Sequence, residues 1–321
     1  MKKRVIICIL IMSIFLGGCQ VSSDKFLSYQ TITNVSHVDN NFIAEENLFA
    51  ENLAVLPEDE VMEQDPVLDS GATLLINHTD KEIIYADNVY ESFYPASLTK
   101  LLTALVALRK GEMTDMVTVS YNASHIPVVG AKLCGFKEGD VISLEALLKS
   151  MLIYSGNDAS IAIAEHISGS EEAFVKEMNR VATELGAVQS NFVNSHGLHD
   201  DNQYTTAYDI YLIFNELLKY DTFLSIINMA SYEAIYTDAE GNQKEKTFYS
   251  TNKYHLGEED IEEGIEVIGG KTGTTNKAGY CFSLLCKDEN GHNYIAIILK
   301  ASDNNSLYSQ MSYLFKYITD K

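Results

Sequence analysis

The sequence predicts a mixed α/β (α+β) domain in which one antiparallel sheet is built from both ends of the chain, flanked by helices, with a mainly helical lobe inserted between them. Two observations carry that reading. Strand-like runs lie near the start (Ala72 to Asn77, Glu82 to Ala86) and the end (Gly279 to Cys286, Tyr294 to Ala301) of the globular stretch, while the residues between them repeat with helical period. Asn290-Gly291 between the last two runs is a strong hairpin signal. A chain of 321 residues that is 46% apolar and 21% charged can bury a large core, which excludes a wholly disordered chain. The formal charge of −22 argues against nucleic acid, whose phosphates require a basic face.

The first segment reads as an address. Lys2, Lys3 and Arg4 precede an apolar run from Val5 to Phe15, followed by Leu16-Gly17-Gly18-Cys19. A basic start and a short hydrophobic stretch ending in small residues predict a signal peptide over residues 1–18. Leu-Gly-Gly-Cys resembles the bacterial lipobox, which implies cleavage before Cys19 and lipid on its sulfur. Two acyl chains suffice for stable anchoring at the outer face of the cell membrane. Loss of the signal takes the formal charge from −22 to about −25. From residue 19 to 68 acidic residues face Lys25 alone, predicting a self-repelling flexible tether with a short helix around Asn47 to Leu56.

The folded domain is expected over residues 69–321. After the first hairpin, helices are predicted over Ser97 to Lys110, Ser143 to Tyr154, Asp158 to Ile167 and Glu171 to Leu185. Ser168-Gly169-Ser170-Glu171 reads as a capping box for the last of these, and Gly186 as its stop. An amphipathic helix from Ser306 to Ile318 closes the chain. Cys134, Cys281 and Cys286 are an odd number without metal-type spacing. Cys281 and Cys286 fall on opposite faces of one strand, so they are expected as buried free thiols.

Ser97-Leu-Thr-Lys100 opens a helix after Pro95. Residues three apart on a helix are neighbours, so the lysine amine reaches the serine hydroxyl. A helix N-terminus and burial against Leu101, Leu102 and Leu105 both disfavour the ammonium, which makes Lys100 a plausible base. The pattern alone decides nothing, because Ser22…Lys25 and Ser250…Lys253 share it. Ser-x-Asn occurs at Ser120, Ser155, Ser250 and Ser302, whereas Lys271-Thr272-Gly273 occurs once. Order and context select Ser97/Lys100 at a helix start, Ser155/Asn157 between two helices, and Lys271-Thr-Gly on a strand.

With that set in place, the chain resembles the serine-type D-alanyl-D-alanine carboxypeptidases, low-molecular-weight penicillin-binding proteins of the DD-peptidase/β-lactamase fold, from about Gly71 onward. The resemblance rests on Pro95-Ala-Ser-Leu-Thr-Lys100, Ser155-Gly-Asn-Asp-Ala-Ser160, Asn194-Ser-His-Gly-Leu198 and Lys271-Thr-Gly-Thr-Thr-Asn-Lys-Ala-Gly-Tyr280. It implies Ser97 as nucleophile, Lys100 as its base, Ser155 as proton relay and Asn157 as holder of the substrate amide. Lys271, Thr272, Gly273 and Thr274 are implied to bind substrate, with the backbone N–H groups of Ser97 and Thr274 as oxyanion hole. The implied substrate is a peptidoglycan stem peptide ending in D-Ala-D-Ala, with β-lactams as covalent inhibitors and no cofactor. Larger members add a β-rich domain and a C-terminal anchor. About fifty residues follow Lys271 here, and the Cys19 lipid is expected to replace that anchor.

Tyr204-Thr-Thr-Ala-Tyr-Asp209 places Tyr208 where arginine is common in the family, which bears on carboxylate recognition. Two other readings compete. A β-lactamase of the same fold needs a glutamate-held water, and no Glu-x-x-x-Asn loop lies between Asn157 and Lys271. A catalytically idle binding or sensing lipoprotein would not need the full reactive set, which is present. His196 and His199 have metal-like spacing without a third ligand nearby and are expected to shape their loop.

Overall fold

The computed structural model describes residues 52–56 and 62–320; the signal, Cys19 and most of the expected tether lie outside the described residues. In chain order come β1 (Ala72–Asn77), β2 (Glu82–Asp87), a 3-10 turn (Ala96–Leu98), α1 (Thr99–Lys110), β3 (Met116–Thr118), α2 (Tyr121–Ser124) and β4 (Val141–Ser143). The helical lobe continues with α3 (Leu144–Lys149), a π-turn (Ser150–Tyr154), α4 (Asn157–Ser168), α5 (Glu171–Glu184), α6 (Ala207–Leu217) and α7 (Asp221–Ile227). The chain then forms β5 (Ser231–Thr237), β6 (Gln243–Tyr249), α8 (Lys253–Leu256), β7 (Ile265–Thr275), β8 (Gly279–Asp288), β9 (Asn293–Ala301) and α9 (Asn304–Thr319).

The expected sheet from both chain ends is present, antiparallel throughout, in the order β2-β1-β9-β8-β7. Its two faces bury different cores, as the period-2 alternation of a strand requires. Leu74, Ile76, Cys281 and Ile297 point into the helical lobe, while Leu75, Phe282, Cys286 and Ile298 pack under Leu307, Met311, Leu314 and Phe315 of α9. Cys281 and Cys286 are accordingly buried, free and on opposite faces. Gly291, at a φ of +85°, makes the β8–β9 turn.

A second sheet, β3-β4-β5-β6, was not legible. β3 and β4 are three residues each, too short to show a period. β6 (QKEKTFY) is almost wholly exposed and charged, and pairing with β5 holds it extended.

The expected capping box is corrected. Ser168 ends α4, and Ser170 alone caps α5 by accepting from Ala173 N (3.1 Å). The Glu171 carboxylate reaches Ser195 instead. Gly186 does stop α5, at a φ of +81°.

Packed chain begins before residue 69. Residues 52–56 are not helical, and Ala54 is fully buried. Its N–H donates to Tyr211 Oη (2.8 Å), and its carbonyl accepts from Tyr208 Oη (2.9 Å). Farther on, Asp65 accepts from the hydroxyls of Tyr313 (3.0 Å) and Tyr317 (2.6 Å). The acidic composition of this stretch hides the few apolar and carbonyl contacts that dock it. Tyr208 is thus engaged with this strap on α6 and is absent from the lining of the cleft described next.

Candidate active site

Three segments converge on one cavity of about 300 Å³, lined by Ser97, Ser155, Asn157, Thr272, Gly273 and Thr274, with Lys132, Thr251 and Asn304 at its margins. Lys100 and Lys271 are fully buried behind that lining and reach it through their amines. All eight sequence-predicted residues of the folded domain are therefore brought together, and Cys19 lies outside the described residues.

Lys100 Nζ lies 3.0 Å from Ser97 Oγ, 2.7 Å from Asn157 Oδ1 and in hydrogen-bond contact with the His196 carbonyl oxygen. Burial holds its amine down to about 7, with Lys132 adding repulsion and Asp158 opposing. Lys271 is likewise held well below the ordinary lysine range, by burial first and then by Lys100 and Lys132. It donates to Ser155 Oγ (2.9 Å) and to the Thr272 carbonyl (2.8 Å).

The backbone around Ser97 is tightly determined. Ala96 sits at a φ of +46°, uncommon for a residue with a Cβ. Two glycines approach this turn closely. A Cβ on Gly197, itself at +85°, would lie 1.9 Å from the Ala96 carbonyl oxygen. One on Gly273 would lie 2.9 Å from Ser97 N, where an oxyanion donor must stay open. Ser155 adopts a left-handed φ of +72° where the π-turn passes into α4. The adjoining Asp158, 1% exposed, accepts from the N–H groups of Cys134 (2.8 Å), Gly135 (2.7 Å) and Phe136 (3.2 Å). It thereby fixes the chain just after Lys132 against the Ser-Gly-Asn turn.

The Asn194–Leu198 loop is built to present its carbonyls. Asn194 Oδ1 accepts from Gly197 N (2.7 Å), and Thr103 donates to the Ser195 carbonyl (2.6 Å). Glu171 accepts from both Ser195 N (2.9 Å) and Ser195 Oγ (2.6 Å). His196 Nδ1 accepts from Leu198 N (3.1 Å), and burial holds the ring down to about 3, so it is neutral. This is the loop-shaping role expected of it. Among the described residues no group of three His, Cys, Asp or Glu side chains could hold a metal.

Sequence reasoning missed Glu171, Lys132 and Thr251. Glu171 was visible only as a helix-capping acid. Thr251 belongs to the Ser250–Lys253 stretch that duplicates two of the motifs. That stretch does reach the cleft, through a 2.6 Å hydrogen bond between the Thr251 and Thr272 hydroxyls rather than through Ser250.

A family model described as D-alanyl-D-alanine carboxypeptidase matches residues 59–303. The chain belongs to the D-alanyl-D-alanine carboxypeptidase family. Among its relatives, D-alanyl-D-alanine carboxypeptidase DacF of Bacillus subtilis is 34% identical over 254 residues, 78% of this chain and 62% of the relative. DacC of Escherichia coli is 34% identical over 223 residues, 67% of this chain and 52% of the relative. The chain thus spans between about half and two thirds of the length of these two family members. A crystal structure of a Streptomyces DD-transpeptidase superposes with a TM-score of 0.73 at 23% identity, over 81% of this chain and all of that one. That likeness establishes the same fold.

Proposed function

We propose that this family member is a penicillin-sensitive serine D-alanyl-D-alanine carboxypeptidase that removes the terminal D-Ala of peptidoglycan stem peptides. The observation that carries the reading is the set of partners around Lys100 Nζ. A neutral amine has two N–H groups and one lone pair. Asn157 Oδ1 and the His196 carbonyl accept the two N–H groups, which leaves the lone pair for the Ser97 hydroxyl proton.

Ser97 Oγ attacks the penultimate carbonyl as its proton passes to Lys100. The backbone N–H groups of Ser97 and Thr274 stabilise the oxyanion. Ser155, held by the Lys271 amine, relays a proton to the departing D-alanine nitrogen. Thr272, Thr274 and the potential of Lys271 receive the terminal carboxylate, and Asn157 holds the acyl amide. Water then releases the shortened peptide. Against the β-lactamase reading, none of the described residues lining the cavity is a carboxylate that could hold a deacylating water.

Residues 1–18 act as a signal in this account, and Cys19 carries the lipid that holds the domain at the outer face of the bacterial cell membrane. Labelled fatty acid should enter the full chain and be absent from Cys19→Ala; label retained on that variant removes the anchor. Peptide mapping after penicillin treatment should place one adduct on the peptide containing Ser97. An adduct on the peptide containing Ser250 would overturn the assignment.

A further inference from the structure

A second cavity, of about 320 Å³, adjoins the cleft. Three of the segments that wall the cleft continue into it: back from Ser97 to Tyr94 and Phe93, on from Leu198 to Tyr204, and on from Thr275 to Lys277. Consecutive Cα atoms are 3.8 Å apart, so Thr275 and Lys277 are separated by at most about 8 Å, and Tyr94 and Ser97 by at most about 11 Å.

The lining is unlike the rest of a chain with a charge of −22. Lys277 and Lys300 both face this cavity, both are exposed, and neither makes an ion pair among the described residues. Lys300 Nζ stands 5.7 Å from the centroid of the Phe93 ring, which orients it. The acid of the lining, Asp201, is turned to solvent with its carboxylate 3.2 Å from His199 Nε2. Two ammonium groups, that of Lys300 beside the Phe93 ring, suit a carboxylate on a flat, partly apolar chain.

Direction and reach connect this cavity to the cleft. β7 is the terminal strand of its sheet, so its outer edge is open to an added strand. With the terminal carboxylate at Thr272 and Thr274, an acyl donor laid antiparallel along β7 runs upstream toward Lys277. An extended peptide advances about 3.3 Å per residue, so the cavity is met about two to three residues ahead of the scissile bond.

We propose that this cavity is a specificity subsite in which Lys277 and Lys300 receive a free carboxylate carried by the stem peptide two to three residues upstream of the cleaved bond. The inference rests on the carboxypeptidase reading above. It makes the enzyme selective for stem peptides whose upstream carboxylate is free over the same peptides with that group amidated.

The test uses the full chain and two synthetic stem peptides ending in D-Ala-D-Ala, identical except for that carboxylate or its amide. Free D-alanine is measured against peptide concentration. The carboxylate peptide should show a KM about tenfold lower at similar kcat, and the difference should shrink as salt rises. Lys277→Gln/Lys300→Gln should raise the KM of the carboxylate peptide about tenfold and leave the amide peptide and the rate of penicillin acylation unchanged. The unchanged acylation certifies that the variant is folded. Equal KM values in the unaltered protein, or a preference that survives both substitutions, overturn the subsite while leaving the carboxypeptidase reading intact. No D-alanine from either peptide, with Ser97 still acylated by penicillin, overturns the carboxypeptidase reading and the subsite with it.

Discussion

Acylation of Ser97 should show an acid limb near pH 7, and that limb belongs to Lys100. At pH 7 an ordinary lysine amine, with a pKa near 10.4, is neutral in roughly 0.04% of molecules. Burial brings Lys100 down to about 7, so about half the molecules carry a usable base at that pH. The sign follows directly: protonation removes the lone pair, so the rate falls as pH drops through 7 and levels off above it. Reaction with a fluorescent penicillin, followed as a second-order rate constant from pH 5 to 9, should lose about tenfold per pH unit on the acid side. The rate at pH 5 should be about one hundredth of the plateau. His196 is already neutral over this range, held to about 3, and contributes no limb. Asp209 is raised by burial to about 6, but it lies against Ser190 at the start of α6, away from the cleft. Lys132 lowers Lys100 by repulsion, so Lys132→Gln should move the limb to higher pH. Lys100→Arg keeps the charge without a removable proton and should cost at least ~10³ in rate. A flat profile, a limb in the carboxylate range, or a limb that persists in Lys100→Arg would refute the assignment.

Three further outcomes follow from the packing. Gly273→Ala places a methyl 2.9 Å from Ser97 N and should lower penicillin acylation about a hundredfold with the fold retained, read by rate and thermal melt together. Glu171→Gln weakens the anchorage of the Ser195 backbone and hydroxyl. It should cut kcat about tenfold with little change in KM for a D-Ala-D-Ala peptide, a split that general destabilisation does not produce. Tyr208→Phe leaves the Ala54 carbonyl without its donor and should cost about 1 kcal/mol in stability with peptide KM unchanged; a raised KM would return Tyr208 to the cleft.

Much of the site was legible because acyl transfer fixes short local spacings. A serine and lysine one helical turn apart, or a glycine that a strand must present to a helix start, leave a mark in a few consecutive residues. The main sheet was legible because β1, β8 and β9 are long and apolar. What escaped depends on contacts distant in sequence. Glu171 acts across 24 residues on Ser195, and nothing local separates it from any first-turn acid. Ala54 is buried by two hydroxyls more than 150 residues away, inside a stretch whose charge argues for solvation. β6 is polar along nearly its whole length, so only its partner strand reveals it.

The most direct measurement is the fate of a peptide ending in D-Ala-D-Ala. Incubated with the protein, it should yield free D-alanine and a peptide shorter by that one residue in equal amounts. Ser97→Ala should yield neither, and prior penicillin treatment should block the reaction. Rapid hydrolysis of penicillin without release of D-alanine would instead make the protein a β-lactamase, and inertness toward both would make it a binding module.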